Sequence, residues 1–384
     1  MAQVNGGKKL LRIGSRKSKL ALIQTEEVIR RLKQCYGEDV YEYKIITMDT
    51  TGDNNLNSPL SEIGSKALFT KELEEELLSG DIDFIVHSMK DLPTTLPEGC
   101  CIGAVLERED PNDVLVLNCN KYENKNITLT ELMKPATESN SNKPLVIGTS
   151  SLRRIAQLKY YIKQNIKCVN IRGNLNTRFA KLDKEESEFD SLLLASAGIQ
   201  RLGFADRITE TLNSDIWFYA VGQGALAVEC RNEDEFILNL LTPLFHLQTC
   251  FECISERTVM KLLEGGCSVP IGVRCTMESP ENGVNEKMLK LTLSAAVFSL
   301  DGIKKVEHKQ TINLNEEFKE ELKNVNFTGI SLPSKTIPNF NDVKQCYINS
   351  FRLGAIVAQC LKDKGAVDIL NEIRQGKLNS TISI

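Results

Sequence analysis

The chain has 384 residues, 41% of them hydrophobic and 26% charged, and a net charge of −4 at neutral pH. That length exceeds one ordinary core and predicts two or three domains of ordinary globular composition. The acidic balance excludes a generally basic nucleic-acid-binding surface, and no run approaches the roughly 18 apolar residues of a membrane helix. The first residues carry neither a secretory apolar block nor an Arg/Ser-rich import leader, so the expectation is a cytoplasmic protein that engages no nucleic acid and no membrane.

In chain order, Leu10–Gly14 ("LLRIG") predicts a buried strand, and Ala21, Val28, Leu32 and Cys35 then share one helical face with Leu22 and Ile29. Tyr41–Met48 is a second strand. Phe69, Leu73 and Leu77 mark a helix that Gly80 can end. "IDFIVHS", "PLVIG", "KCVNI" and "DSLLLAS" are further strands with continuous apolar centres, separated by helices such as Leu152–Ile162. Strands of this kind, alternating with helices, predict parallel α/β sheets covered on both faces. Two polar stretches interrupt the pattern: Asn118–Pro144, a surface insertion in its outer parts, and Asn315–Gln345, an excursion with little core of its own. From about residue 247 a helical block, alternating strands and a C-terminal helix predict a smaller α+β domain.

The 12 cysteines are scattered, as suits reduced thiols. The single Cys-x-x-Cys, Cys250 to Cys253, lacks a second pair at finger-like spacing and reads as plain helix, so no metal is expected.

Ligands of open α/β sheets bind beyond the carboxyl ends of the strands. The residues there are Arg16 to Ser18, Met89-Lys90-Asp91, Thr149 to Arg154, Arg172 to Arg178, and Ala197 to Arg201. Six arginines (Arg16, Arg153, Arg154, Arg172, Arg178 and Arg201) thus follow four of five strands in an acidic chain. Each alone reads as a surface ion pair. Together they predict a cleft for several carboxylates or phosphates, which guanidinium binds bidentately. The Thr149–Ser151 cap adds helix N-terminal donors. Asp91 is the lone carboxylate among these cations, suited to a salt bridge or to stabilising developing positive charge and moving protons. His87 reads as a packed strand residue. Cys267 lies in "KLLEGGCSVPIG", after a helix expected over Ser255–Glu264 and a Gly265-Gly266 stop. A thiol there faces the negative end of the helix dipole, which disfavours a fast nucleophile. No Walker-type loop or dinucleotide fingerprint is present. A two-lobed anion binder without chemistry remains the rival reading, and Asp91 with the loop cysteine distinguishes it from an enzyme.

Seven segments in order, "RIGSRKSKLAL", "GSKALFTKELEEELLSGDIDFIVHSMKDLPT", "GTSSLRR", "NIRGNLNTRFAKLD", "ASAGIQRLG", "VGQGALAVECR" and "EGGCSVPIG", resemble those of the porphobilinogen deaminases, or hydroxymethylbilane synthases, of haem synthesis. The resemblance implies two doubly wound, periplasmic-binding-protein-like lobes and a small C-terminal α/β (α+β) domain. Residues 1–110 with 223–243 would form the first, 111–222 the second and 244–384 the third. It implies a monomeric transferase that deaminates four porphobilinogen molecules and joins them head to tail into hydroxymethylbilane. The reaction would run without a metal, on a dipyrromethane cofactor bound through a thioether to Cys267. By the same resemblance Asp91 is the catalytic carboxylate, acting with Lys90 and Arg16. Arg16, Ser18, Arg172, Arg178 and Arg201 would bind substrate and the growing chain. Ser88, Lys90, Asp91, Thr149, Ser151, Arg153 and Arg154 would hold the cofactor. Lys66, Phe69 and Lys71 would lie on a mobile segment near the cleft.

Overall fold

The computed structural model describes residues 4–5, 8–50, 52, 70–123, 127–132, 144–162, 166–212, 216–263, 269–278, 289–317, 328–333 and 337–382. Three sheets organise them.

The first contains β1 (Val4–Asn5), β2 (Lys8–Arg16), β3 (Tyr41–Met48), β4 (Phe84–Ser88), β5 (Cys100–Val105) and β11 (Leu226–Arg231). Its main order is β3-β2-β4-β11-β5, with β1 as a short addition to β2. The second sheet runs β8-β7-β9-β6-β10, from β6 (Asp113–Leu117), β7 (Leu145–Gly148), β8 (Ile166–Val169), β9 (Ser191–Ala195) and β10 (Glu210–Leu212). The two orders are equivalent. In each, three parallel strands are followed by one that arrives from the other half of the molecule and runs antiparallel to both neighbours. That strand is β11 in the first sheet and β6 in the second. The sheets are therefore mixed rather than purely parallel. The alternation of strands and helices reveals the βαβ units but carries no mark of the two exchanged strands.

Both faces of each sheet are buried, which is why the strands read as unbroken apolar runs. In the first sheet Leu11, Ile13, Phe84, Val86 and Val228 pack on the face covered by Val28, Leu32, Ile237 and Leu241, while Ile85 and Cys100 meet Leu73, Leu77 and Ile82 on the other. In the second, Val114, Val116, Leu192 and Leu194 occupy one face and Leu115, Leu117 and Leu193 the other. The third sheet, β12 (Ile271–Glu278), β13 (Lys290–Phe298) and β14 (Lys305–Asn313), is antiparallel. It packs with the helices Leu247–Leu262 and Phe340–Asp363 into the largest core.

Two expectations are corrected. The helix before Cys267 spans Leu247–Leu262, starting well before Ser255. Residues 249 to 259 are all buried, so no amphipathic period marks its start. Within the Asn118–Pro144 stretch, whose outer parts alone were expected to be surface insertions, the central Leu129 is buried against Leu115 and Leu117, which leaves that expectation untouched. Within Asn315–Gln345, Thr328 and Ile330 are buried, and Ile102 of β5 donates to Gly329 O at 2.8 Å while accepting from Ser331 N at 3.0 Å. That segment adds a bridge to the edge of the first sheet. Among the described residues no single helix is long and apolar enough to cross a membrane.

The chain passes between the two sheets at residues 106–112 and 219–225, which lie side by side. Leu106 N donates to Leu226 O at 3.0 Å and Glu109 N to Gly224 O at 3.3 Å. Gly224 has φ +89° and a Cβ there would stand 2.3 Å from Glu109 O, so only glycine permits this approach. Arg108 fastens the crossing to the Leu247–Leu262 helix. Its guanidinium donates to Glu256 at 2.8 and 2.7 Å, to Glu252 at 3.2 Å and to Gln223 O at 2.8 Å. Gly222 N and the Tyr219 hydroxyl donate to the same Glu256 carboxylate at 2.8 and 3.2 Å. Arg108→Met leaves both glutamates buried without their cation and is expected to lower unfolding stability by about 3–5 kcal/mol. Urea titration checks this; an unchanged midpoint would contradict it.

Candidate active site

The site is built at the ends of β2, β4, β7 and β8, where the sequence leaves the sheets. β2 ends in Arg16, and Ser18 caps the helix that follows by accepting from Ala21 N at 3.3 Å. β4 delivers Ser88, whose hydroxyl accepts from Gln24 at 2.9 Å, and a single 3₁₀ turn then presents Met89, Lys90 and Asp91. Met89 is buried and its N–H donates to Ala225 O at 3.0 Å, so the turn is seated on the returning chain. Arg16 Nη1 stands 3.9 Å from Asp91 Oδ2, both side chains keeping partial solvent access.

The loop after Asp91 is held from the third sheet's side. Arg257, fully buried in the Leu247–Leu262 helix, donates to Leu92 O at 3.2 Å, Pro93 O at 2.7 Å and Thr328 O at 3.0 and 2.8 Å. Burial lowers its pKa to about 10.

On the opposite side the second sheet contributes Thr149, Ser151, Arg153, Arg154, Arg172 and Arg178. Thr149 is buried and its hydroxyl accepts from Ser151 N at 3.3 Å at the start of the Leu152–Tyr161 helix. Arg153 and Arg154 turn inward onto Asp113, the first residue of β6. Arg153 donates to Asp113 at 2.6 and 3.2 Å and to Phe218 O at 2.6 Å. Arg154 donates to Asp113 at 2.8 Å and to Leu193 O at 2.8 Å. The Trp217 indole and the Gln223 amide complete the shell of Asp113 at 3.0 and 2.8 Å. Burial would raise the Asp113 pKa, but the two guanidinium groups outweigh it and hold the carboxyl far below its ordinary range. Gln223 also accepts from Lys90 Nζ at 3.5 Å. A polar chain therefore runs from Lys90 through Gln223 and Asp113 to Arg153 and Arg154, joining the two halves.

The remaining charges are set by burial. Lys90 is lowered to about 8, first by desolvation, with Asp91 and Asp113 opposing and Arg154 and Arg153 reinforcing. Arg178, which donates to Gly173 O at 2.8 Å, is lowered to about 10 by burial and then by Arg154 and Arg172, with Asp91 opposing. Arg172, itself buried, is lowered by desolvation. These mutual influences bring Arg16, Lys90, Asp91, Arg153, Arg154, Arg172 and Arg178 into one electrostatic neighbourhood. Arg201 stands apart: it donates to Gly224 O at 2.7 Å, and the charges acting on it are Glu109, Glu27 and Arg31. Lys71 is exposed, 3.7 Å from Glu75. Lys66, Phe69 and Cys267 lie outside the described residues. His87 is buried with Nε2 3.0 Å from Glu229 Oε2, behind the turn that carries Asp91. Cys250 and Cys253 are buried core thiols, Cys250 pushed up to about 12 by desolvation. Among the described residues no group of three or more His, Cys, Asp or Glu gathers as metal ligands.

The residues missed at the level of sequence are Asp113, Gln223 and Arg257. A charged residue opening the apolar run "DVLVL" and an amide between two glycines in "VGQGAL" are their only local signals.

The cleft thus gathers six cations around two carboxylates, and Asp113 is fully engaged by its own shell. Arg154 Nε is buried with no hydrogen-bond partner among the described residues. Such a donor set fits a ligand bearing several carboxylates, as a dipyrromethane does.

Comparison with known proteins identifies the family. Residues 11–239 match the family model "Porphobilinogen deaminase, dipyromethane cofactor binding domain" and residues 250–325 match "Porphobilinogen deaminase, C-terminal domain". The chain belongs to the porphobilinogen deaminase family. The porphobilinogen deaminase of Dictyostelium discoideum is 41% identical over 94% of this chain and 95% of its own length. That of Synechococcus elongatus is 47% identical over 76% and 83%, and that of a Nostoc species 40% over 96% of both. Among solved structures, the BenM effector-binding domain with benzoate covers 66% of this chain and 93% of its own at 12% identity, with a TM-score of 0.35. That likeness is too loose to bear on the site. Like other porphobilinogen deaminases, the chain is an enzyme: a transferase of tetrapyrrole synthesis that consumes porphobilinogen and carries the domain for the dipyrromethane cofactor.

Replacing Asp113 tests the frame of this deaminase site. A carboxylate whose folded pKa is depressed contributes stability that is fully present above its unfolded value near 3.8 and lost as the pH falls below it. Asp113→Asn is expected to lower the thermal midpoint by a nearly constant amount from pH ~5 to ~8, with the gap closing only below about pH 4. A gap that varied across the neutral range would contradict the assignment.

Proposed function

We propose that the cations at the mouths of the two sheets hold the carboxylate arms of an oligopyrrole while Asp91 serves as the catalytic carboxylate. What supports this best is the placement of a half-exposed Asp91 beside Arg16 at 3.9 Å, within a surplus of buried positive charge. As the aminomethyl C–N bond of porphobilinogen breaks, positive charge develops on the pyrrole. A fixed carboxylate near the ring N–H stabilises that charge and can accept the proton released later. Lys90 and Arg16 flank Asp91 and orient both it and the reacting ring.

Ser88, Lys90, Asp91, Thr149, Ser151, Arg153 and Arg154 would hold the dipyrromethane, with Cys267 its covalent anchor. When bound, the cofactor supplies the ring carbon on which the chain is extended. Arg153, bonded to Asp113 and Phe218 O, acts in this reading chiefly by keeping Arg154 and the helix start in place. Arg16, Ser18, Arg172 and Arg178 would bind the incoming substrate, and Arg201, near the crossing segments, a carboxylate of the lengthening product. The equivalent strand orders support a division into residues 1–110 with 223–243, 111–222 and 244–384. We take the enzyme to act as a cytoplasmic monomer whose partner is its small-molecule substrate, without metal, nucleic acid or membrane.

Intact-mass measurement of the denatured enzyme is expected to show the polypeptide plus two pyrrole units; the bare polypeptide mass from active enzyme would refute the covalent primer. Asp91→Asn is expected to retain fold and cofactor but lose about 10²–10³-fold in turnover, and near-normal turnover would remove Asp91 from the mechanism. Arg172→Ala is expected to stall elongation, seen as enzyme-bound species with fewer added rings; an unaltered product profile would displace it from the substrate site.

A further inference from the structure

β5 opens with two adjacent cysteines, Cys100 and Cys101. Successive side chains of a strand point to opposite faces, and these two thiols separate accordingly. Cys100 packs with Leu73, Leu77 and Ile85 on one face of the sheet, and Cys101 packs against the Val228 and Leu241 side on the other. A bond between the two neighbours is therefore disfavoured by the extended backbone.

Cys101 has a different companion. It stands directly opposite Cys230 in the antiparallel β5/β11 ladder, with the two Sγ atoms 3.9 Å apart. Cα atoms of directly opposed antiparallel residues lie about 4.5–5.5 Å apart, inside the 4.4–6.8 Å span that a disulfide bridges. Closing to about 2.05 Å needs side-chain rotation and no backbone rearrangement. The ladder is irregular next to the pair: its register shifts between Val228 and Glu229, where β5 carries Gly103. A Cβ on Gly103 would stand 2.6 Å from Cys230 Sγ, so the glycine provides the space in which that sulfur sits.

The two thiols are also unequal. Cys101 is partly buried, while Cys230 is fully buried. The hydrogen bond from Cys230 favours the Cys101 thiolate and outweighs the opposing effects of burial and of Glu229. Cys230 is pushed far up by its contact with Cys101 and by burial, and keeps its proton.

We propose that Cys101 and Cys230 are an oxidation site that a peroxide converts to a cross-strand disulfide. The Cys101 sulfur attacks one peroxide oxygen and the O–O bond breaks, giving the sulfenic acid and one water. The Cys230 sulfur then attacks the Cys101 sulfur, the S–O bond breaks, and the Cys230 proton leaves with the hydroxide as a second water. Two thiols lose two electrons and two protons, and the peroxide is reduced to two waters.

The bond has an architectural consequence. The partners are 129 residues apart, and the chain between them contains the whole second sheet. Oxidation would close that excursion into a covalent loop at the base of both crossing segments, restricting the unfolded chain most where the loop is long.

The test uses the complete enzyme. It is treated with hydrogen peroxide, denatured, alkylated, digested without reduction and analysed by mass spectrometry, with fragmentation to locate the bond. The expected product is a pair of peptides joined through Cys101 and Cys230, two hydrogens lighter than their sum and released by dithiothreitol, with a thermal midpoint several degrees higher. Cys101→Ser is expected to lose both the link and the peroxide-induced rise. The peptide map of the unsubstituted enzyme decides the matter should that variant not fold. Recovery of both residues as alkylated thiols, of Cys101 as a sulfinic acid, or of a link through Cys100 would overturn the proposal.

Discussion

The structure depends on positive charge held out of water. Lys90, Arg153, Arg154, Arg172 and Arg178 all have pKa values or partners that reflect burial, and among the described residues Asp91 and Asp113 stand with them as counter-charges. A buried ion without compensation costs several kcal/mol. Part of the compensation comes from Asp113, which meets two guanidinium groups at once. In the proposed function the carboxylates of an oligopyrrole, two on every ring, add further negative charge as the chain grows. The low pKa of Lys90 expresses the same imbalance in a group that can respond by releasing its proton.

The fold makes this arrangement rigid at its base. β6 and β11 each cross into the other half and lie antiparallel within the sheet they enter, so each sheet is completed by the other's chain. The crossing segments are packed backbone to backbone at Gly224 and tied by Arg108 to Glu252 and Glu256. From that base, Gln223 links Lys90 to Asp113, and Arg257 grips the carbonyls of Leu92 and Pro93 behind Asp91. The turn that carries Asp91 is thus backed by a helix that belongs, by packing, with the third sheet.

Much of the site was legible in the sequence because α/β sheets put ligands at strand ends. "FIVHS" ends at Ser88 and releases Lys90 and Asp91, "LVIG" precedes Thr149, and Arg172 follows β8. What could not be read is which cations face the ligand and which face a carboxylate. Asp113 lies 40 residues from Arg153 and 110 from Gln223, and nothing local announces either contact. The apolar pattern did not mark the exchanged strands, since an antiparallel arrival leaves the same run as a parallel one; the resemblance, which joined residues 223–243 to the first lobe, was the signal for β11. The helical block expected from about residue 247 is the Leu247–Leu262 helix, whereas the narrower Ser255 start failed because residues 249 to 259 are all buried, and the core role of Ile330 was masked by its polar surroundings. Cys267 rests on the motif alone.

The central claim, that the cleft's cations await a ligand's carboxylates, is tested most directly at Lys90. Its ionisation can be followed by carbon-13 NMR of labelled lysine, assigned with Lys90→Arg, in enzyme prepared with and without its primer. The account predicts a midpoint near 8 in the primer-free protein and a marked rise once the primer's carboxylates are in place. An identical midpoint in the two forms would contradict it.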